Sequence, residues 1–187
     1  MFEKQTQEIT GNGNQQANGN INNINIYSSE YGRPAAIEKV LSGIYDVAQE
    51  NLQKFAPPDT KPYTIEDKIE YNDIELYREF YDDFMSGYAL VKYQIDAAAE
   101  TDPNFENKIT EYIKAIYISV WEELNEEDRK NPNAILWHMR QILEKEISSC
   151  SQRLAQEEIK AIGSVVFYIF AKCKIFKKPP ENYADTK

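Results

Sequence analysis

The sequence predicts a mainly α-helical protein: an antiparallel bundle of about five helices, preceded by a short N-terminal β-type self-association segment. Three observations predict this fold class. Apolar residues recur at steps of three and four over most of the chain, as they do along one face of a helix. Asn, Asp and Pro residues between these segments give start and stop signals for helices. The N-terminal part lacks this pattern and is rich in Asn and Gly.

The change in composition divides the chain into three parts. Residues 1–31 are the Gly/Asn-rich self-association segment, residues 32–180 the helical bundle domain, and residues 181–187 a flexible tail. A chain of 187 residues is long enough to build one core. We therefore expect a single helical domain with an appendage at its N-terminus.

The first two predicted elements are placed by periodicity and by capping signals. Apolar residues mark one face of a helix from about Arg33 to Phe55, and a proline-rich stretch ends it. Thr64 then caps a short helical turn. Asn72, followed by Glu75 three residues later, resembles a capping box. This signal predicts a long helix that continues to about Ala99.

The remaining helices begin at a repeated signal. Asp102 precedes Pro103 and Asn131 precedes Pro132, and in each pair a capping side chain is followed by a residue suited to the first helical position. The last long helix, from about 154 to 176, is apolar on well over half of its circumference and should be the most buried element. The short connections between helices favour antiparallel neighbours in a bundle.

Composition excludes several classes of partner and location. The formal net charge of −10 disfavours binding to nucleic acid or to an anionic membrane, because either would require a basic patch. Cys150 and Cys173 lack metal-ligand spacing and disfavour a disulfide scaffold. The N-terminus lacks the apolar region of a signal peptide, and no apolar run reaches the roughly 18 residues of a spanning helix. We therefore expect a cytoplasmic protein that binds neither nucleic acid nor membrane.

The sequence also gives no basis for catalytic, cofactor-binding or metal-binding residues. His138 is the only histidine, so a histidine pair for a metal cannot form. A di-iron site would need Glu at position 135, which is Ile. Phosphate-binding loops and nucleophile elbows are absent from the chain. The prediction is a protein without enzymatic activity and without a cofactor.

Aromatic residues crowd the predicted helix that ends near Ala99. Tyrosine is common both in cores and at protein interfaces, so these residues either pack in the core or contact a partner. Both interpretations make this helix central to the domain. The predicted partner-binding residues are Tyr77, Tyr81 and Tyr88, together with Phe176 near the C-terminus.

Isoleucines in the N-terminal segment indicate short strands. Ile24 and Ile26 alternate with polar residues, whereas Ile21 is out of phase and requires a turn at Asn22 and Asn23. Three isoleucines cannot offset the conformational entropy lost by so many residues in a single chain. Several copies could pair their backbones and stack their amide side chains. The segment is therefore either a disordered tail or an element ordered by its own copies, and the isoleucine placement favours assembly.

The segment ITGNGNQQANGNINNINI, residues 9–26, resembles a short Gly/Asn motif found ahead of domains in many bacterial conflict and anti-phage systems. It is also similar in style to bacterial amyloid-signalling motifs. The predicted self-association residues are the positions that match the motif together with the three isoleucines: Ile9, Gly11, Asn14, Gln16, Gly19, Asn20, Ile21, Ile24 and Ile26.

Two further stretches, PYTIEDKIEYNDIELYREFYDDF (62–84) and FAKCKIFKKP (170–179), resemble the start and finish of the helical C-terminal domain of bacterial ABC-three-component systems. Those systems join an ABC-type ATPase, a middle component and an effector. Members of the family carry an effector or enzymatic region ahead of this domain, whereas residues 28–61 leave room for one helix. The resemblance therefore implies a small stand-alone component of such a system.

These observations lead to one main hypothesis and one alternative. In the main hypothesis, a non-enzymatic component of a bacterial anti-phage defence system forms a homo-oligomer, a trimer or larger, through its N-terminal segment. Its helical domain then binds another protein of the same system, an ATPase or an effector. In the alternative, the protein is a membrane-acting effector whose apolar segment Gly163 to Phe176 disrupts bilayers after oligomerisation.

Overall fold

The computed structural model describes residues 29–48, 63–150, 154–172, 174–181 and 183. These residues form eight helices and no strand: α1 (Ser29–Ala48), α2 (Ile65–Tyr71), α3 (Glu75–Glu79), α4 (Tyr81–Ala99), α5 (Phe105–Glu123), α6 (Glu126–Arg129), α7 (Pro132–Cys150) and α8 (Gln156–Ala171). The predicted mainly α-helical class is confirmed. Five of these helices have 16 to 20 residues, and α2, α3 and α6 are short. Residues 1–28 of the predicted β-type segment lie outside the described residues, and its last three residues, 29–31, are helical and belong to α1.

Helix α8 is the central element of the core. Its buried residues include every position from Ser164 to Ala171, and it packs against α1, α4 and α7. This burial agrees with the prediction that the last long helix is the most buried one. The helix ends at Ala171 rather than near Phe176, and Phe176 adopts a left-handed backbone conformation with φ of 62°.

Helices α4 and α8 approach each other closely where Gly87 faces Ser164. A β-carbon placed on Gly87 would lie 2.4 Å from Ser164 Oγ and 2.9 Å from Ser164 Cβ. Real β-carbons do not approach other atoms this closely. The distance between the two helices therefore depends on the missing side chain at position 87.

The predicted long helix from Asn72 to Ala99 is wrong in two respects. Asn72 does not start it: this residue follows the end of α2, and α3 begins after Ile74 without a side-chain cap. Asp73 has φ of 51°, so the chain turns sharply before α3. The helical run is broken again at Phe80, whose φ and ψ of −116° and 34° separate α3 from α4.

Two of the predicted helix starts are confirmed. Thr64 and Asp67 form a reciprocal capping box at the start of α2, with Thr64 Oγ1 accepting from the Asp67 N–H at 3.1 Å. Asp67 Oδ2 accepts in turn from the Thr64 N–H at 2.9 Å. Asn131 Oδ1 accepts from the N–H groups of Asn133 and Ala134 at 3.0 and 3.3 Å. Helix α7 begins at Pro132, directly after this capping residue.

The start of α5 differs from the prediction by two residues. Asp102 Oδ1 accepts from the Asn104 N–H at 2.9 Å, but the helix begins at Phe105. The other carboxylate oxygen of Asp102 accepts from the Tyr45 hydroxyl at 2.6 Å and from Lys108 Nζ at 2.8 Å. Asp102 therefore joins α1 to the start of α5 instead of only capping a helix.

Candidate partner-binding groove

Three large apolar side chains that face solvent lie around one groove. Leu76 is 40% exposed, Phe80 is 55% exposed and Trp137 is 54% exposed. The groove has a volume of about 840 Å³ and runs between α3 with the start of α4 on one side and α7 with α8 on the other. Apolar patches of this kind on folded proteins mark sites that bind proteins or ligands.

The first wall is anchored to the core by Tyr77, a buried residue that lies between the exposed residues Leu76 and Arg78 and borders the groove. Tyr77 is only 1% exposed and packs its ring against Phe84, Phe167 and Phe170 at centroid distances of 4.7, 4.8 and 5.1 Å. Burial raises the pKa of its hydroxyl well above the ordinary value. Because Tyr77 fixes one side of α3 to the core, the side that carries Leu76 remains at the groove.

The second wall is formed by α7 and α8. Trp137 packs edge-on against His138, with ring centres 5.0 Å apart. Asn133 Oδ1 accepts a long hydrogen bond of 3.4 Å from the Leu76 N–H and so connects the two walls. Gly163 of α8 also lines the groove, and a β-carbon there would make an ordinary contact of 3.7 Å with Phe84.

The start of α1 contributes one residue to the lining of the groove. Arg33 lines it, and its guanidinium donates a hydrogen bond of 2.8 Å to the Asp83 carbonyl oxygen near the start of α4. Residues 1–28 of the predicted self-association segment precede α1, and its last three residues, 29–31, form the first positions of that helix. The nine predicted self-association residues themselves lie outside the described part of the chain.

Of the four predicted partner-binding residues, only Tyr77 is among the residues that line the groove. Tyr81 is half-buried and donates its hydroxyl hydrogen to Glu66. Burial and this bond raise the pKa of Tyr81, and the same bond lowers the pKa of Glu66. Tyr88 is also half-buried, with its ring 5.2 Å from that of Tyr168.

Phe176, the fourth predicted partner-binding residue, packs against the protein's own aromatic rings. Its ring centre lies 5.1 Å from Tyr117 and 5.8 Å from Phe170. The exposed residues Leu76, Phe80 and Trp137 were not predicted. Periodicity identifies aromatic residues on a helix but does not indicate which of them the core covers.

The structure brings together the two stretches that carry the ABC-three-component resemblance. Lys68 Nζ donates to the carbonyl oxygens of Phe170 and Ile175 at 2.6 and 2.7 Å. The Asn72 side-chain amide donates to the Lys177 carbonyl at 2.9 Å, and Asn72 Oδ1 accepts from the Lys177 N–H at 3.0 Å. Residues far apart in sequence therefore form one unit, and the first stretch also supplies the α3 wall of the groove.

Three further features of the described residues concern metal binding, His138 and membrane insertion. These residues contain no group of His, Cys, Asp and Glu side chains that could hold a metal ion. His138 borders a second, smaller groove of about 450 Å³ together with Gln141 and Lys145. In the part of the chain that the structure describes, no helix is long and apolar enough to span a membrane. Most of the described residues in Gly163 to Phe176 are buried.

Comparisons of this chain with protein-family models, with curated proteins and with solved structures found no match.

Proposed function

We propose that this protein is a non-enzymatic component of a bacterial anti-phage defence system. Its helical domain binds a partner protein of that system, an ATPase or an effector, in the groove between α3 and α7. Residues 1–28 gather several copies of the chain into a homo-oligomer. Tethering the copies raises the local concentration of the bound partner and gives avidity without new contacts.

The exposed apolar groove is the observation that carries the proposal. Large apolar side chains in water cost free energy, and burying them against a partner recovers about 25 cal/mol per Å² of apolar surface. Trp and Phe are also enriched at the centres of protein interfaces. Leu76, Phe80 and Trp137 thus have the chemistry of anchor residues around a shared depression.

The position of the groove connects it to the family resemblance. Residues 62–84 resemble the start of the ABC-three-component helical domain, and Leu76 and Phe80 in this stretch form the wall of the groove. The neighbouring contacts of Lys68 and Asn72 with residues 170–177 join this wall to the second stretch of the resemblance. A partner-binding role for residues 62–84 would account both for the family resemblance of this stretch and for its position at the groove.

Co-purification tests the partner-binding half of the proposal. The wild-type chain and its Trp137→Asp variant would each be co-expressed with the proteins that adjacent genes encode. We expect the variant to lose the co-purifying partner. Tyr93→Asp is the matched control, because Tyr93 is exposed but does not line the groove. Equal recovery of a partner with wild type and with both variants would contradict the assignment of the groove.

Light scattering after size-exclusion chromatography tests the assembly half. The full chain is expected to have a mass that is a multiple of 21.7 kDa. The chain that begins at Ser29 is expected to be a monomer whose helical circular dichroism per residue is at least that of the full chain. A monomeric full chain would show that residues 1–28 do not gather copies.

A further inference from the structure

The two walls of the groove differ in charge. On the α3 and α4 side, Glu75, Glu79 and Asp83 are exposed, and their carboxylates make neither a hydrogen bond nor an ion pair with another described residue. This wall therefore presents a row of carboxylates beside the apolar surface of Leu76 and Phe80.

The cations that line the groove are already engaged within the protein. Arg140 pairs with Glu144 at 2.8 Å, and Lys160 pairs with Glu157 at 3.1 Å. Arg33 donates to the Asp83 carbonyl oxygen. This carbonyl oxygen does not neutralise the charge of Arg33, but the three carboxylates outnumber that one cation, so the charge left for a partner is net negative. Positive charge on the partner would complement it and would increase the rate and the specificity of association.

The shape of the site favours a helical partner. Its walls are helix surfaces, and the described residues offer no sheet edge to which an extended peptide could add a strand. A helix laid in an apolar groove uses residues at steps of three and four as anchors, and its flanking positions lie beside the rims. The groove volume of about 840 Å³ can receive several such side chains.

We propose that the groove binds an amphipathic helix of the partner protein whose apolar stripe is flanked by Lys and Arg. The apolar stripe covers Leu76, Phe80 and Trp137, and the basic flank faces the wall of Glu75, Glu79 and Asp83. This inference rests on the proposed function, because it names the kind of segment by which the partner is held.

Two designed peptides test the inference on the full chain by fluorescence anisotropy. Both are helical peptides of about 18 residues with the same Leu stripe, and one is flanked by Lys and the other by Glu. We expect the Lys peptide to bind at least about tenfold more tightly, with an advantage that decreases as NaCl is raised from about 50 to 500 mM. Equal affinity for the two peptides, or tighter binding of the Glu peptide, would overturn the inference.

Charge-reversed variants locate the effect. Glu79→Lys/Asp83→Lys is expected to remove the preference for the Lys peptide. Glu122→Lys/Glu126→Lys changes the net charge by the same amount at exposed positions that do not line the groove, and it should keep the preference. If both double variants lose the preference equally, the effect comes from overall charge and the assignment to this wall is wrong.

A variant that fills the groove provides an independent test. Gly163→Leu places a side chain over Phe84 in the groove and is expected to reduce binding of the Lys peptide by about tenfold or more. Gly163→Ala is the control that should bind normally. If neither peptide binds while Trp137→Asp still loses the co-purified partner, the basic-helix inference fails and the proposed function stands. If co-purification is also insensitive to Trp137→Asp, the groove assignment fails with it.

Discussion

Lys68 Nζ lies 2.6 Å from the carbonyl oxygen of Phe170, a residue 102 positions later in the chain. The Lys68 side chain is only 1% exposed, and Nζ also lies 4.2 Å from the centre of the Phe170 ring. Helix α8 ends at the next residue, Ala171, so the ammonium stands at the helix end where unpaired carbonyls carry partial negative charge. A buried cation here satisfies backbone groups that water cannot reach.

Removal of this ammonium should destabilise the domain. Lys68→Met keeps much of the side-chain volume but leaves the Phe170 and Ile175 carbonyls without their donor. We expect a loss of about 2–5 kcal/mol in the free energy of unfolding, measured by urea denaturation. Lys92→Met is the control, because the pair of Lys92 with Asp96 is exposed to solvent and should contribute little to stability. Similar losses for both variants would argue against the buried role of Lys68.

The contact of Gly87 with Ser164 gives a second prediction. Gly87→Ala forces a β-carbon against Ser164 Oγ and Cβ, so α4 and α8 must move apart. We expect the free energy of unfolding to fall by about 1–3 kcal/mol even though Ala is the better helix former. Gly163→Ala on α8 has only an ordinary contact at 3.7 Å and should leave stability unchanged or raise it by up to about 1 kcal/mol. Thermal and urea unfolding of the two variants measure the difference, and an equally stable Gly87→Ala would contradict the close helix contact.

Two neighbouring aromatic residues should respond differently to truncation. Tyr77→Ala leaves a cavity among Phe84, Phe167 and Phe170 and should cost about 3–5 kcal/mol in unfolding free energy. Phe80→Ala removes a side chain that is 55% exposed and should cost less than about 1 kcal/mol. Urea denaturation measures both values. A loss of partner binding in Tyr77→Ala would therefore reflect loss of folding, whereas in Phe80→Ala it would reflect loss of contact with the partner. Equal destabilisation by the two substitutions would contradict the different burial of these rings.

Asp102 gives a prediction about acid stability. Hydrogen bonds from Lys108 and Tyr45 lower its pKa from 3.8 to about 2. Because the folded state prefers the ionised carboxylate, this contribution is complete above about pH 4 and is lost as the pH falls towards 2. Asp102→Asn should therefore reduce the loss of stability in this range, as measured by urea midpoints at successive pH values.

The pKa of Asp102 can be followed separately by NMR titration of the carboxyl carbon. Lys108→Met removes its first partner and should move that pKa up towards the ordinary value. A titration that is unchanged in Lys108→Met would show that the hydrogen bond is not the cause of the lowered pKa.

Local signals in the sequence were sufficient where a structure depends on neighbouring residues. Thr64 and Asn131 cap their helices as predicted, because a capping side chain needs only the N–H groups two or three residues later. Asn72 carries the same kind of signal but bonds to Lys177 instead. The competing partner is 105 residues away, so no local pattern could reveal it.

Local sequence patterns also could not reveal which residues form the candidate groove. The sequence indicated that the tyrosine-rich stretch is central, but it did not separate Tyr77, which packs in the core, from Leu76 and Phe80, which line a surface. That separation depends on which face of α3 packs against Phe84 of α4 and against Phe167 and Phe170 of α8. Trp137 reaches the groove from α7, and its role depends on how two distant helices are placed.

The sequence by itself determined the helical class, the net charge of −10 and two of the helix starts, because composition, periodicity and capping are properties of residues close in the chain. Only the tertiary structure decided which aromatic side chains are buried and which face solvent. It also placed Glu75, Glu79 and Asp83 along one wall and buried Lys68 beneath the end of α8. These features depend on contacts between residues many positions apart, whose geometry is fixed only when the helices pack together.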